Sequence, residues 1–176
     1  MNNSATTRAI TKVALEYNGN DKGTAEMVAS NYLLTDTAEG QFNEMKTVAL
    51  RNPKVKKWAL TGYISQPDEI GRKLKDEEFK QIAMEALVKV GVTGKNQYRF
   101  DIHNSTRHKH IHFVVNRIDI SGKCTVKAHD IGKRFGDAVR EVCKERGLLT
   151  DIEIGIQKKA EMLKSLTEAI RSENNF

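Results

Sequence analysis

Seventeen consecutive residues, His103 to Asp119 (HNSTRHKHIHFVVNRID), hold four of the chain's five histidines and place the tightest constraint on its fold. His110 and His112 are two apart and run into Phe113-Val114-Val115, an apolar, β-branched stretch of the kind that forms a buried strand. Residues two apart on a strand point to one face, so both imidazoles project together. Just upstream, Tyr98 to His103 alternates strictly. Tyr98, Phe100 and Ile102 line one face, and Arg99, Asp101 and His103 the other. The polar segment 104–109 between them has the composition of a hairpin connection. Pairing the two strands brings His103 beside His110 and His112. Three imidazoles on one sheet face are the donor set of an open metal site. A closed structural zinc site would want a fourth ligand, and Cys124 and Cys143 form no C-x-x-C pair.

The spacing H-x6-H-x-H, followed by a strand and Asn116-Arg117-Ile118-Asp119, resembles motif III of the plasmid mobilisation relaxases. These belong to the HUH endonuclease superfamily, and the resemblance is in particular to the class often called MOBP. His108 falls where many of that class also carry histidine. The resemblance covers residues 8–150. It implies a small antiparallel sheet open to substrate on one side, and a DNA nuclease that nicks one strand at a transfer origin. It also implies accessory mobilisation proteins as partners. Members are usually longer, so residues 1–150 are expected to be the nuclease domain and 151–176 a charged helix leading into a continuation.

Charge agrees without deciding. Lys+Arg 29 against Asp+Glu 23 gives a net charge of +6, which suits a polyanionic partner. No apolar run reaches the ~18 residues of a membrane span, and the first residues lack a signal-peptide core. With two unpaired-looking cysteines, a reducing, cytoplasmic location is expected.

Along the chain, residues 1–7 suggest a weak strand or a loose end. Ile10, Val13, Ala14 and Tyr17 share a helical face that ends near Asn18-Gly19. A second helix is expected over about 24–34 and a third around Phe42 to Ala49. A strand follows at 58–65, then a helix at 76–90 and the histidine hairpin. A short strand at 125–127, a helix at about 129–146 and a charged helix at 157–172 complete the chain. Strands separated by helices make an α+β fold, a mostly antiparallel sheet with helices on one face and the histidines on the open one.

Relaxases use a tyrosine nucleophile, and this chain has four tyrosines. Tyr63 and Tyr98 belong to expected strands and are set aside. Tyr17, in Ala14-Leu15-Glu16-Tyr17-Asn18, resembles the family's motif I and takes the nucleophile role, with Tyr32 as the alternative. A tyrosine completing a buried apolar helix face would look the same. Attack by the Tyr17 hydroxyl on a phosphate would release a 3′ hydroxyl and leave a 5′-phosphotyrosine link. Neutral imidazoles leave a cation's full charge for the phosphate. Ligand softness favours zinc or nickel, whereas the resemblance implies magnesium or manganese. No nucleotide cofactor is expected, since Gly91 to Lys95 lacks the spacing of a P-loop.

The family commonly has acids two and four residues after the first histidine, where this chain has Ser105 and Arg107. Asp101, Asp68 or Glu69 could substitute. Asn116, on the pleat face of His110 and His112, and Lys57, in a basic cluster, are candidate DNA contacts. Competing readings are a Rep-type initiator or HUH transposase, which share the chemistry, and a non-catalytic DNA-binding module with a residual site.

Overall fold

The computed structural model describes residues 1–67, 74–104 and 108–173. Its centre is a five-stranded antiparallel sheet built from β1 (Asn2–Arg8), β2 (Glu26–Asn31), β3 (Ala59–Ser65), β4 (Asn96–His103) and β5 (His110–Asp119). The strand order is β1-β3-β5-β4-β2, so the two histidine-bearing strands are neighbours near the middle. Among the described residues there are five α-helices: α1 (Lys12–Asn18), α2 (Ala38–Ala49), α3 (Asp76–Lys89), α4 (Ile131–Glu145) and α5 (Asp151–Glu173). The α+β class and the antiparallel sheet are as the sequence led us to expect.

Strand alternation divides the molecule into two layers. Leu60, Ile64, Phe100, Ile102, Ile111, Phe113 and Val115 all face α3 and α4, and form the larger core with Phe79, Ile82 and Phe135. The opposite phase carries Ala59, Val114 and Ile118, which pack with Leu15, Met45 and Trp58 under α1 and α2. Helices therefore cover one face completely and the far end of the other, leaving the histidine end of that second face open. Burying each large apolar side chain contributes on the order of 2 kcal/mol, so both layers stabilise the sheet. Gly62 serves the close approach of β1. A Cβ there would lie 2.0 Å from the Ser4 carbonyl oxygen and 2.5 Å from the Phe113 ring.

Three elements differ from the reading of the sequence. Segment 24–34 is the edge strand β2, not a helix. Its pairing with β4 slips between Met27 and Ala29, so Val28 is an extra residue in a bulge. Val28 and Ala29 consequently both pack on the main core. A bulge breaks strict alternation and imitates helical spacing in the sequence. The segment 125–127 is not a strand; an isolated bridge pairs the neighbouring Cys124 with Ile118 of β5. The last helix begins at Asp151 rather than 157, because Thr150 and Glu153 form a reciprocal cap. Glu153 accepts from the Thr150 N–H and hydroxyl, and the Thr150 hydroxyl accepts from the Glu153 N–H.

Candidate active site

Register places the site. Across the open face, Tyr63 of β3, His112 of β5 and Asp101 of β4 stand opposite one another in one transverse row. The next row on the same face is Ser65, His110 and His103. The hairpin thus brings the three imidazoles together, with ring centroids 4.2 Å apart for His103 and His112 and 6.1 Å for His110 and His112. They line a groove of about 560 Å³ with Tyr17, Asp21 and Tyr63. A second groove, about 600 Å³, leads away along β1 and β3 from Tyr17, Tyr63 and His112 towards Arg8.

Burial keeps two of the rings neutral. Desolvation lowers the His112 pKa to about 4, helped by the neighbouring His103 and His110. It lowers that of His110 as well, against a raising hydrogen bond to the His108 backbone. Near pH 7 both rings therefore keep a nitrogen lone pair for a metal or a proton. His103 is only 6% exposed, and its Nε2 lies 2.6 Å from the backbone oxygen of Asn18. The three-imidazole donor set suits a divalent cation. As they stand, however, no group of three or more His, Cys, Asp or Glu side chains among the described residues is placed to hold a metal ion.

Tyr17 is not a core residue. It is 69% exposed, at the end of α1, with its ring 6.3 Å from that of His103. Val13 of the same expected apolar face is also 60% exposed. The buried face of α1 is instead set by Leu15, which inserts under α2, and this turns Tyr17 outward over the groove. Tyr32 lies elsewhere. It follows Asn31, which pairs with Tyr98, so it sits at the end of β4 opposite His103, roughly 20 Å away at about 3.3 Å per residue. Tyr63, set aside from the sequence as a strand residue, faces the histidines, with ring centroids 6.0 Å from His110 and 5.8 Å from His112.

Several other residues take structural roles. The Asp101 carboxylate shares the histidine face, but Arg99 holds both of its oxygens through Nε and Nη2. Arg99 Nη1 continues to Gln41 on α2. Gly19 lets that guanidinium pass beneath the turn after Tyr17, because a Cβ there would meet Arg99 Nη2 at 2.5 Å. Asn116 is fully buried, not a DNA contact. Its amide donates to the Met45 carbonyl and Gln97, and its oxygen accepts from the Ile118 N–H. Lys57 stands at the far end of the sheet, where its carbonyl receives the Arg117 guanidinium. His108 lies on the β4–β5 connection. Ser105, Arg107, Asp68 and Glu69 lie outside the described residues.

The acid that the sequence did not single out is Asp21. It sits on the turn after α1, 8% exposed, with Oδ1 3.9 Å from His103 Nδ1. Only the tertiary fold brings it there, so no local pattern announces it. Among the described residues no helix is long and apolar enough to cross a membrane.

Compared with models of protein families, residues 17–148 match the relaxase family, described as a MobA/VirD2-like nuclease domain. No curated protein and no solved structure matches the chain. The matched segment begins at Tyr17 and contains the whole histidine hairpin, together with α2, α3 and α4. It covers well over half of the sequence, and a relaxase nuclease domain nicks DNA. The chain belongs to the relaxases, with residues 17–148 as its MobA/VirD2-like nuclease domain.

Proposed function

We propose that this relaxase nicks one strand of DNA at a transfer origin by attack of Tyr17 on a phosphodiester, with His103, His110 and His112 holding a divalent cation. The observation that carries the reading is an exposed phenol on the rim of a groove whose floor is three clustered imidazoles. The bound metal, magnesium or manganese in use, would supply positive charge against a non-bridging phosphate oxygen. Everything else falls to the chain. Leu15 and α2 fix the helix that presents Tyr17. Burial keeps His110 and His112 neutral, and therefore able to ligate, at cellular pH. The groove running from the histidines towards Arg8 gives single-stranded DNA a path over the open face.

The Tyr17 oxygen forms a bond to phosphorus as its proton leaves to solvent. The bond from phosphorus to the 3′ oxygen breaks, and that oxygen takes up a proton. One phosphoester replaces another, so the 5′-phosphotyrosine link stores the energy for rejoining and no nucleotide is consumed. Cytoplasmic action with accessory mobilisation proteins belongs to the same reading. So does a nuclease unit at 1–150 followed by an appended helix.

The test is covalent trapping. With Mn²⁺ and single-stranded DNA carrying a transfer origin, the protein should give a band shift that survives denaturant. Tyr17→Phe should abolish that band while binding Mn²⁺ as the parent does, and Tyr63→Phe should retain it. An adduct persisting in Tyr17→Phe rejects the nucleophile. Binding of DNA with no adduct at all would leave a non-catalytic module.

A further inference from the structure

Tyr63 has no part in the chemistry proposed for Tyr17 and the histidines, yet it stands where the grooves of the open face meet. It lines the histidine groove and the groove along β1 and β3. It also lines a third groove of about 410 Å³, where the edge of the sheet meets Gly132, Lys133 and Arg140 of α4. Of the four tyrosines only Tyr17 shares the first two grooves. Tyr98 packs on the main core, and Tyr32 lies at the other end of β4.

Register explains why the Tyr63 ring stands clear. Along β3 its neighbours on the same face are Thr61 and Ser65, and across the β1 pairing it faces Ser4. All three side chains are short, and Asn2, Ser4 and Thr6 of that face of β1 are exposed. The rings beside it belong to β5, at 6.0 Å for His110 and 5.8 Å for His112. Tyr63 itself is half-buried. Hydroxyl and amide neighbours give an aromatic ring little to pack against, so core filling does not account for it. A single ring above a low polar floor is instead how a surface offers a nucleic-acid base a face to stack on.

The course of the grooves selects the base. The one along β1 and β3 runs from Arg8 to Tyr17, Tyr63 and His112, where the histidine groove begins. A strand threaded through both passes the Tyr63 ring. With a phosphate at the imidazoles, about 6 Å from that ring, the base within reach belongs to a nucleotide beside that phosphate.

We propose that Tyr63 is the stacking platform for a base flanking the attacked phosphate, holding the strand in place while Tyr17 attacks. This rests on the reading of the open face as the path of single-stranded DNA. Every base has a π-face, so the contact adds affinity and position without sequence preference.

Fluorescence anisotropy of the full chain with labelled oligothymidine, in EDTA at low salt, tests it, because stacking needs neither the cation nor a particular sequence. Tyr63→Phe keeps the ring and should bind within about twofold of the parent. Tyr63→Ala should bind about 5- to 150-fold more weakly, the worth of one stacked base. Its salt slope should be unchanged, since no phosphate contact is lost. On an abasic strand the parent and Tyr63→Ala should bind alike. Tyr63→Ala that binds oligothymidine as the parent does, or loses the same factor on the abasic strand, overturns the assignment. In the unmutated protein, a strand carrying iodouracil should photo-cross-link to Tyr63, and cross-links that avoid Tyr63 overturn it without any variant. Parent protein that binds no single-stranded DNA removes the DNA path and this proposal with it. Parent binding fully retained in Tyr63→Ala removes Tyr63 alone.

Discussion

His112 carries a clear pH consequence. Its folded pKa, about 4, lies below the ordinary 6.5 of an unfolded imidazole. Between those values the unfolded chain takes up a proton that the folded chain refuses. This contribution to stability is therefore intact above about pH 6.5 and is lost as the pH falls towards 4, after which it levels off. The melting temperature in EDTA should drop across that window. His112→Gln should show a shallower drop, and identical curves for the two proteins would refute the account. At this scale the sequence was legible wherever a local period carried the information. Strict alternation put His103, His110 and His112 on one face. It failed where partners come from far along the chain. Asp21 reaches Asn104 across 83 residues, and Asn116 is consumed by Met45 of α2, which no strand pattern foretells.

Among the elements, α5 is the least integrated. Its first turn is anchored by the Thr150–Glu153 cap, the Arg140–Asp151 ion pair and buried Ile154. From Ile156 to Ser172 every residue is exposed. Helical stability in proteins comes mostly from packing of an amphipathic face, and this stretch packs on nothing, so it contributes little to the rest of the fold. A chain ending at residue 158 should melt within about 2 °C of the full protein and keep its DNA-nicking activity. A larger loss would show that the helix supports the domain. The start of α5 was missed because the apolar run Ile152, Ile154, Ile156 imitates a strand, while the cap lies in Thr150 and Glu153. The mistake over β2 has the mirror-image cause: a bulge at Val28 made a strand look helical. The helices α2, α3 and α4 were legible because each buries one clean stripe, such as Phe79, Ile82, Ala83, Ala86 and Leu87 of α3.

For the molecule as a whole, the antiparallel α+β plan was legible from strands alternating with helices. The partial roof of α1 and α2 was not, because it depends on Leu15, Met45 and Trp58 meeting across the second face. On the proposed reading, that roof would confine a DNA strand to the histidine end and to the groove that reaches Arg8. Each phosphate neutralised on single-stranded DNA contributes about 0.7 to the slope of log affinity against log salt. Arg8→Ala should therefore flatten that slope by about 0.7, read by fluorescence anisotropy from 50 to about 300 mM salt, and weaken binding uniformly across sequences. An unchanged slope would route the strand elsewhere.

The link between the His103 ring and the Asn18 carbonyl has a mechanical meaning. Asn18 is the residue next to Tyr17, the proposed nucleophile, and His103 closes one arm of the hairpin. If His103 holds a cation as proposed, a tug on either residue would be felt by its counterpart, and arming the phenol and seating the metal would be two ends of a single lever.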